Sequence, residues 1–284
     1  MQNLRVISSI PEMQALADQV RREGKRIGLV PTMGYLHEGH LSLLRAARKV
    51  SDLLVMSLFV NPTQFGPHED YQTYPRDFER DRILAASEGT DIIFAPTARD
   101  MYPKGYTTWV EVAGLSDKLC GQFRPGHFRG VATVVTKLFN IVKPHVAFFG
   151  QKDAQQSIII QRMVQDLNMD IQIEVLPTVR EPDGLALSSR NVYLSQQEHQ
   201  AALVLSRSLD LAQKLIRNGE RSTAVILSKM RELIAQEPLV VLEYVAITDL
   251  TTLEDLKEIS SRALIALAAR VGKTRLIDNC IVSL

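Results

Sequence analysis

Two histidines three residues apart carry the strongest chemical signal in this chain. They are His37 and His40, in the run Pro31-Thr32-Met33-Gly34-Tyr35-Leu36-His37-Glu38-Gly39-His40. An apolar run (residues 26–30, RIGLV) stands directly before them and a helix-like stretch (residues 41–50) directly after. That spacing is about one turn at the start of a helix, so both imidazoles can face the same side. A helix start offers free N–H groups and the positive end of the helix dipole, which favour an anion. Imidazoles placed there suit phosphate, because each can donate to oxygens that gain charge during transfer. Gly34 and Gly39 let the backbone approach a flat ring or a phosphate closely. A single histidine would more often be an ordinary surface residue; the pair with glycine between, directly behind a strand, reverses those odds. Zinc is disfavoured, because the metalloprotease pattern needs H-E-x-x-H and this is H-E-G-H.

Three further polar clusters each follow a β-type run: Asn61-Pro62-Thr63-Gln64-Phe65, Gly150-Gln151-Lys152-Asp153 and Leu187-Ser188-Ser189-Arg190. Lys152 and Arg190 are candidate phosphate clamps, since a fixed cation is what a pentavalent phosphorus centre needs. Asp153 can orient Lys152 or assist a metal ion. Gln64 and Gln156 offer donors and acceptors without charge, suited to hydroxyls and a carboxylate, and Met33 with Phe65 can supply an apolar wall. Arg124 and His127, in FRPGHFRG, either reach the site or belong to a loop held by Pro125 and Gly126. Asp81 reads by default as a solvated helix charge. The run Val271-Gly272-Lys273-Thr274 imitates a phosphate loop, but such a loop requires glycine where Leu267 stands, so it reads as a turn between strands. The absence of G-x-G-x-x-G after the first strand argues against a dinucleotide oxidoreductase.

These clusters need a scaffold that gathers them. Residues 26–30, 53–60, 91–95, 146–149 and 171–176 read as strands, nearly continuous in apolar residues. Helix-like stretches (41–50, 75–87, 129–143 and 153–167) lie between them. This alternation predicts a doubly wound parallel α/β sheet covered on both faces, Rossmann-like, with its ligand at the carboxyl ends of the strands. From about residue 185 the texture changes to two long helical patterns (196–218 and 222–236) and β-type runs at 242–247, 263–269 and 274–277. We expect a catalytic domain over residues 1–184 and a smaller α+β domain over 185–284.

At 284 residues and 45% hydrophobic content the chain can bury a sizeable core in two domains. Its 33 basic and 32 acidic residues nearly cancel, so no global field draws nucleic acid or an anionic membrane. The two cysteines, Cys120 and Cys280, lie far apart and outside any metal spacing. With neither a signal-peptide pattern nor an apolar run of membrane-spanning length, the expectation is a soluble cytoplasmic protein.

The stretch PTMGYLHEGH resembles the adenylate-forming H-x-G-H superfamily of nucleotidylyl transferases. Taken with VNPTQF, YPRDFERD, RPGHFRGVATVV, FFGQKDAQQ and PTVREPDGLALSSRN, it resembles the pantothenate synthetase family, and LEYVAITD and TRLIDN extend the likeness over nearly the whole chain. Thr63 stands where methionine is common in that family, and Gln151 where glutamate is common. The resemblance implies a two-step reaction. The carboxylate of (R)-pantoate attacks the α-phosphate of ATP, releasing pyrophosphate with Mg²⁺ bound. The amine of β-alanine then attacks the pantoyl adenylate, giving pantothenate and AMP. It implies catalytic roles for His37, His40 (as proton donor), Lys152, Ser188, Ser189 and Arg190. Nucleotide contacts are implied for Met33, Gly34, Tyr35, Leu36, His37, Glu38, Gly39, His40, Gly150, Gln151, Lys152, Asp153, Val179, Leu187, Ser188, Ser189 and Arg190. Pantoate and β-alanine contacts are implied for Gln64, Gln156, Asn61 and Arg124, and help in placing the metal for Asp81. It also implies a homodimer and a C-terminal lid. Two alternatives stay open: a superfamily member that adenylylates a phosphate and stops there, and a catalytically silent nucleotide-binding module. A tRNA-charging enzyme is disfavoured, since the chain offers neither an anticodon-binding domain nor a basic face.

Overall fold

The computed structural model describes residues 4–284. The chain runs through β1 (Arg5–Ile7), α1 (Ile10–Arg22), β2 (Ile27–Thr32), α2 (Glu38–Arg48), β3 (Leu53–Leu58), α3 (Phe78–Ser87) and β4 (Ile92–Phe94). The short helices α4 (Ala98–Met101) and α5 (Cys120–Phe123) precede α6 (His127–Val142), β5 (Val146–Gly150), α7 (Ala154–Asp166) and β6 (Gln172–Leu176). The remainder is α8 (Gln196–Arg217), α9 (Thr223–Ile234), β7 (Val240–Thr248), β8 (Arg262–Val271) and β9 (Thr274–Ser283).

β1 to β6 form one parallel sheet in the order β1-β4-β3-β2-β5-β6. Its central strands are largely apolar because each face is covered, with Thr32 and Ser57 as buried polar residues at their carboxyl ends. Leu29, Val55, Ile92, Phe94, Ala147 and Phe149 pack towards α1, α6 and α7. Their alternates, Val30, Leu54, Met56, Ile93, Val146 and Phe148, pack towards α2 and α3. Burying a side chain of this size contributes roughly 1.5–3 kcal/mol. From β2 the chain winds outward through β3 to β4, and it then returns to lay β5 and β6 on the other side. The loops after β2 and β5 therefore leave neighbouring strands in opposite directions, and the crevice between them is where such a sheet takes its ligand.

β7, β8 and β9 form a separate antiparallel sheet. Ala263, Ile265, Leu267, Ala269 and Val271 of β8 share a core with α8 and α9. Leu264 and Ala266, on its opposite face, belong to the core of the parallel sheet. Val271 pairs with Thr274, so the phosphate-loop mimic is indeed a two-residue hairpin turn, with Gly272 at φ +56°.

The sequence pattern gave no element before residue 26. α1 lies there, capped by Ser9, and β1 adds a strand of only three residues, too short to stand out. α2 also begins earlier than residue 41, with direct consequences for the histidines.

Candidate active site

His37 is the residue that caps α2, and His40 sits in its first turn. The Nδ1 of His37 accepts the Gly39 N–H at 3.2 Å, and the Nδ1 of His40 accepts the His37 N–H at 3.3 Å. Both inner nitrogens are thereby acceptors, so each neutral ring carries its proton on Nε2. The ring centroids are 4.1 Å apart. Burial, the neighbouring imidazole and the Lys152 charge push His37 down to about 2; burial and Lys152 push His40 down to about 4. The pair presents two neutral N–H donors, shaped for oxyanions.

The loop that delivers them is held by Asp81. Its carboxylate, 1% exposed, accepts the N–H groups of Tyr35 and Leu36, both at 2.7 Å. This corrects the reading of Asp81 as a solvated charge. It also leaves the carboxylate poorly suited to the metal role that the resemblance implied, because each oxygen is already committed to the backbone. Burial raises its pKa, opposed by those two hydrogen bonds and by Arg80. Gly34 passes directly over it at φ +86°, and a Cβ there would lie 2.9 Å from Asp81 Oδ2. Tyr35 places its ring under Arg80, 5.1 Å from the guanidinium carbon. Leu36 is fully buried in the core beneath α2, so its side chain is closed to any ligand. Glu38 points outward and pairs with Arg45.

A cavity of about 860 Å³ opens between the parallel sheet and the C-terminal sheet. Arg124, Lys152, Asp153, Gln156, Ser188 and Arg190 line it on one side, and Tyr244, Arg270, Lys273, Arg275 and Asn279 on the other. Met33, Gly34, His37, His40 and Gln64 are not on its wall. Lys152 joins the two parts, since it lines the cavity and its charge is felt by both imidazoles. Ser189 makes a second link. It is 6% exposed and donates to the Tyr35 carbonyl at 3.1 Å, tying the loop after β6 to the loop after β2. Ser188 accepts the Arg190 N–H at 3.2 Å. The Leu187 N–H donates to the Val179 carbonyl at 3.0 Å, closing the hairpin that leads into this turn.

The two arginines are held by a pair of acidic neighbours that the sequence reading passed over. Asp70 grips Arg190 through Nε and a terminal nitrogen at 2.8 and 2.9 Å, with the guanidinium lying 5.5 Å from the Tyr74 ring. Glu69 grips Arg124 in the same way at 2.7 and 2.6 Å, which together with a backbone hydrogen bond holds Glu69 down at about 2. Arg124 also donates to the Gln64 carbonyl at 3.1 Å and to His127 Nε2 at 3.0 Å. His127 donates from Nδ1 to the same carbonyl at 2.7 Å, and burial with Arg124 beside it keeps this ring neutral, down at about 3. Arg124 and His127 therefore line the cavity and brace the loop that carries Gln64.

Gln64 accepts from Asn61 Nδ2 at 3.1 Å and donates towards the Met33 sulfur at 3.1 Å. Asn61 is 1% exposed and saturated: it donates to the Gly130 carbonyl and accepts from Thr63 and from Tyr102 at 2.8 Å. It supports Gln64 rather than facing a ligand. Thr63, the departure from methionine, fits here because its hydroxyl lies within 3.2 Å of that of Tyr102. Gly130 is required by this packing, since a Cβ would come within 2.3 Å of the Thr63 carbonyl. The adjacent amides on α7 both line the cavity, but Gln155 is spent on the backbone of Leu115, Lys118 and Cys120.

The chain matches known proteins over nearly its whole length. A family model described as pantoate-beta-alanine ligase matches residues 5–281. The chain is 57% identical to the pantothenate synthetase of Heliobacterium modesticaldum, covering 98% of this chain and 99% of that one. It is 56% identical to that of Thermotoga petrophila, covering 98% and 100%. The crystal structure of pantothenate synthetase from Thermus thermophilus superposes with a TM-score of 0.92 at 45% identity, over 97% of this chain and 98% of the other. That of the Francisella tularensis pantoate-beta-alanine ligase, complexed with beta-gamma ATP and beta-alanine, superposes with a TM-score of 0.81 at 34% identity, over 98% of each chain. With matches of this length and identity, the chain belongs to the pantoate-beta-alanine ligase family.

Proposed function

We propose that the crevice between β2 and β5, with the adjoining cavity, joins pantoate to β-alanine at the expense of ATP by way of a pantoyl adenylate. The observation that carries this reading is the convergence of His37, His40 and Lys152 at the topological switch point. Two neutral Nε2–H donors and one ammonium there suit the negative charge that builds on the α-phosphate under attack. The low pKa of His40, about 4, favours a hydrogen-bond donor over a donor of a whole proton in the ligand-free enzyme. We assign the adenosine to the backbone at Gly34 and Gly150 and to the hairpin carrying Val179 and Leu187.

Gln64 and Gln156 are assigned to pantoate, whose carboxylate and two hydroxyls need amide partners. Met33 and Phe65 face its methyl groups. Arg190, Ser188 and Ser189 form the phosphate end, and the second half-reaction admits the β-alanine amine from the cavity side.

Mg²⁺ fits this site as an ion carried in on the triphosphate. Such ions keep most of their shell from phosphates and water and take one or two protein carboxylates. Asp153, whose side chain is 44% exposed beside Lys152, is the carboxylate available for it. Bound there, the ion would neutralise charge on the departing pyrophosphate. We assign the enzyme to the cytoplasm, the chain to a homodimer, the division of domains to residues 184/185 and the C-terminal part to a lid. Among the described residues no helix is long and apolar enough to cross a membrane.

The test is isotope exchange. With pantoate and no β-alanine, the enzyme should move labelled pyrophosphate into ATP. Exchange that waits for the amine overturns the adenylate.

A further inference from the structure

β9 reads Leu276-Ile277-Asp278-Asn279-Cys280-Ile281-Val282, an apolar strand interrupted by two adjacent polar residues, and both are buried, at 3% and 4% exposure. Buried polar groups are costly unless their hydrogen bonds are made. Here they are made, and to two different loops of the parallel-sheet domain. Asn279 donates from Nδ2 to the carbonyls of Gln151 at 2.9 Å and Lys152 at 2.8 Å, and its Oδ1 accepts from the Gln151 side chain at 3.4 Å. Asp278, on the opposite face of the strand, forms a two-point pair with Arg180 at 2.6 and 2.9 Å. Arg180 also donates to the Gly184 carbonyl at 3.1 Å, so it braces the hairpin that leads into Ser188–Arg190. The Asn279 N–H donates to Asp278 Oδ1 at 2.8 Å, which locks the two anchors together.

We infer that Asp278 and Asn279 are positioning residues for the adenylation step. One dipeptide of the C-terminal sheet sets the backbone from which Lys152 reaches and, through Arg180, the hairpin from which Arg190 reaches. Neither need touch a substrate. The inference rests on the reading of Lys152 and Arg190 as phosphate contacts. It gives β9 a role beyond covering the site: both cationic loops are registered against this one strand.

Lys152, Asn279 and their combination separate the possibilities by double-mutant cycle. Asn279→Ala should lower kcat for pyrophosphate exchange about 10- to 100-fold, as small misplacements of a reacting group do, with the KM for ATP changed less than about threefold. Asn279→Ser, whose shorter side chain withdraws the amide donor from both carbonyls but keeps a polar group, should lose a like amount and serves if the alanine variant folds poorly. In a Lys152→Ala background, Asn279→Ala should cost less than about threefold further, because the group it positions is gone. Asp278→Asn should likewise be much less harmful in an Arg190→Ala background than in the parent. Losses that multiply fully in those backgrounds, or an unchanged kcat for Asn279→Ala, overturn the positioning role. A Lys152→Ala enzyme with normal turnover overturns the phosphate reading itself, and the inference with it.

Discussion

The imidazoles and the guanidinium groups of this site are fixed by opposite means. His37 and His40 are oriented by backbone N–H groups alone, on a loop clamped by the buried Asp81. Nothing there has to be released before a phosphate can bind. Arg124 and Arg190 are oriented by the carboxylates of Glu69 and Asp70, which occupy the very donors an anionic ligand would want. On the proposed reading a triphosphate would have to compete with Asp70 for Arg190, and that pair is half-buried, where an abandoned partner is costly. One half of the site is thus preorganised, and the other is an exchange of anions. Preorganised donors act without reorganisation at the moment of reaction, so the histidine half should govern turnover. The arginine half should tune how the nucleotide is taken up and given back.

The hardest test removes a preorganised donor. His40→Ala should lower turnover about 10²- to 10³-fold with the fold intact, as losing a single transition-state donor does; exchange kinetics beside a thermal melt will read both. Next comes the clamp. Asp81→Asn turns one buried acceptor into a donor facing an N–H, which should cost about 1–3 kcal/mol of stability and up to about 10² in turnover as the loop loosens. The midpoint of a magnesium titration should stay where it is; a large rise would restore Asp81 to the metal. On the other half the effect should be smaller and of opposite sense: Asp70→Asn should lower the KM for ATP a few-fold, since Arg190 is freed for the nucleotide, while the ligand-free enzyme melts earlier. A weakened uptake of ATP would mean that Asp70 helps the phosphate instead of competing with it.

The gentlest effect is in pH. His37, His40 and His127 are held below the ordinary histidine value, to about 2, 4 and 3. The unfolded chain therefore binds more protons than the folded one below about pH 6.5. Stability from these rings is complete above that pH and is lost as pH falls towards 4, before most carboxylates titrate. Thermal midpoints between pH 8 and pH 5 should decline in this sense, and less steeply for His40→Gln. A curve that is flat down to pH 5 would show that the rings are not desolvated as described.

How much of this was legible in the sequence follows from the range of the interactions. The run RIGLV and its counterparts revealed the central strands because a parallel strand covered on both faces has no polar option. The histidines, Lys152 and Gln64 stood out because each follows such a strand. Asp81 did not, since a carboxylate on a charged helix looks solvated until the Tyr35 and Leu36 amides are brought to it from 46 and 45 residues away. Glu69 and Asp70 were hidden for the same reason, their arginines lying 55 and 120 residues further on. Asp278 and Asn279 left a trace, two polar residues inside an apolar strand, but the loops they hold could not be named without the fold. β1 was missed because three residues are too short to stand out, whereas α1 carried a legible signal that went unread, Ser9 as its cap and Met13, Ala17 and Val20 at helical spacing.

β8 has no solvent-facing side to spare: Leu264 and Ala266 belong to one core, and Ala263, Ile265, Leu267 and Ala269 to another. A substitution along ALIALAA must therefore suit two neighbourhoods, or spoil one while fitting the other. Alanine recurs along that run at Ala263, Ala266, Ala268 and Ala269, the size at which both neighbourhoods can stay close. For anyone grafting a relative's C-terminal part onto this chain, the seam cannot run along the linker alone. The side chains of β8 on the near face would have to travel with the recipient and those on the far face with the donor, so a workable chimera alternates its parentage residue by residue through a single strand.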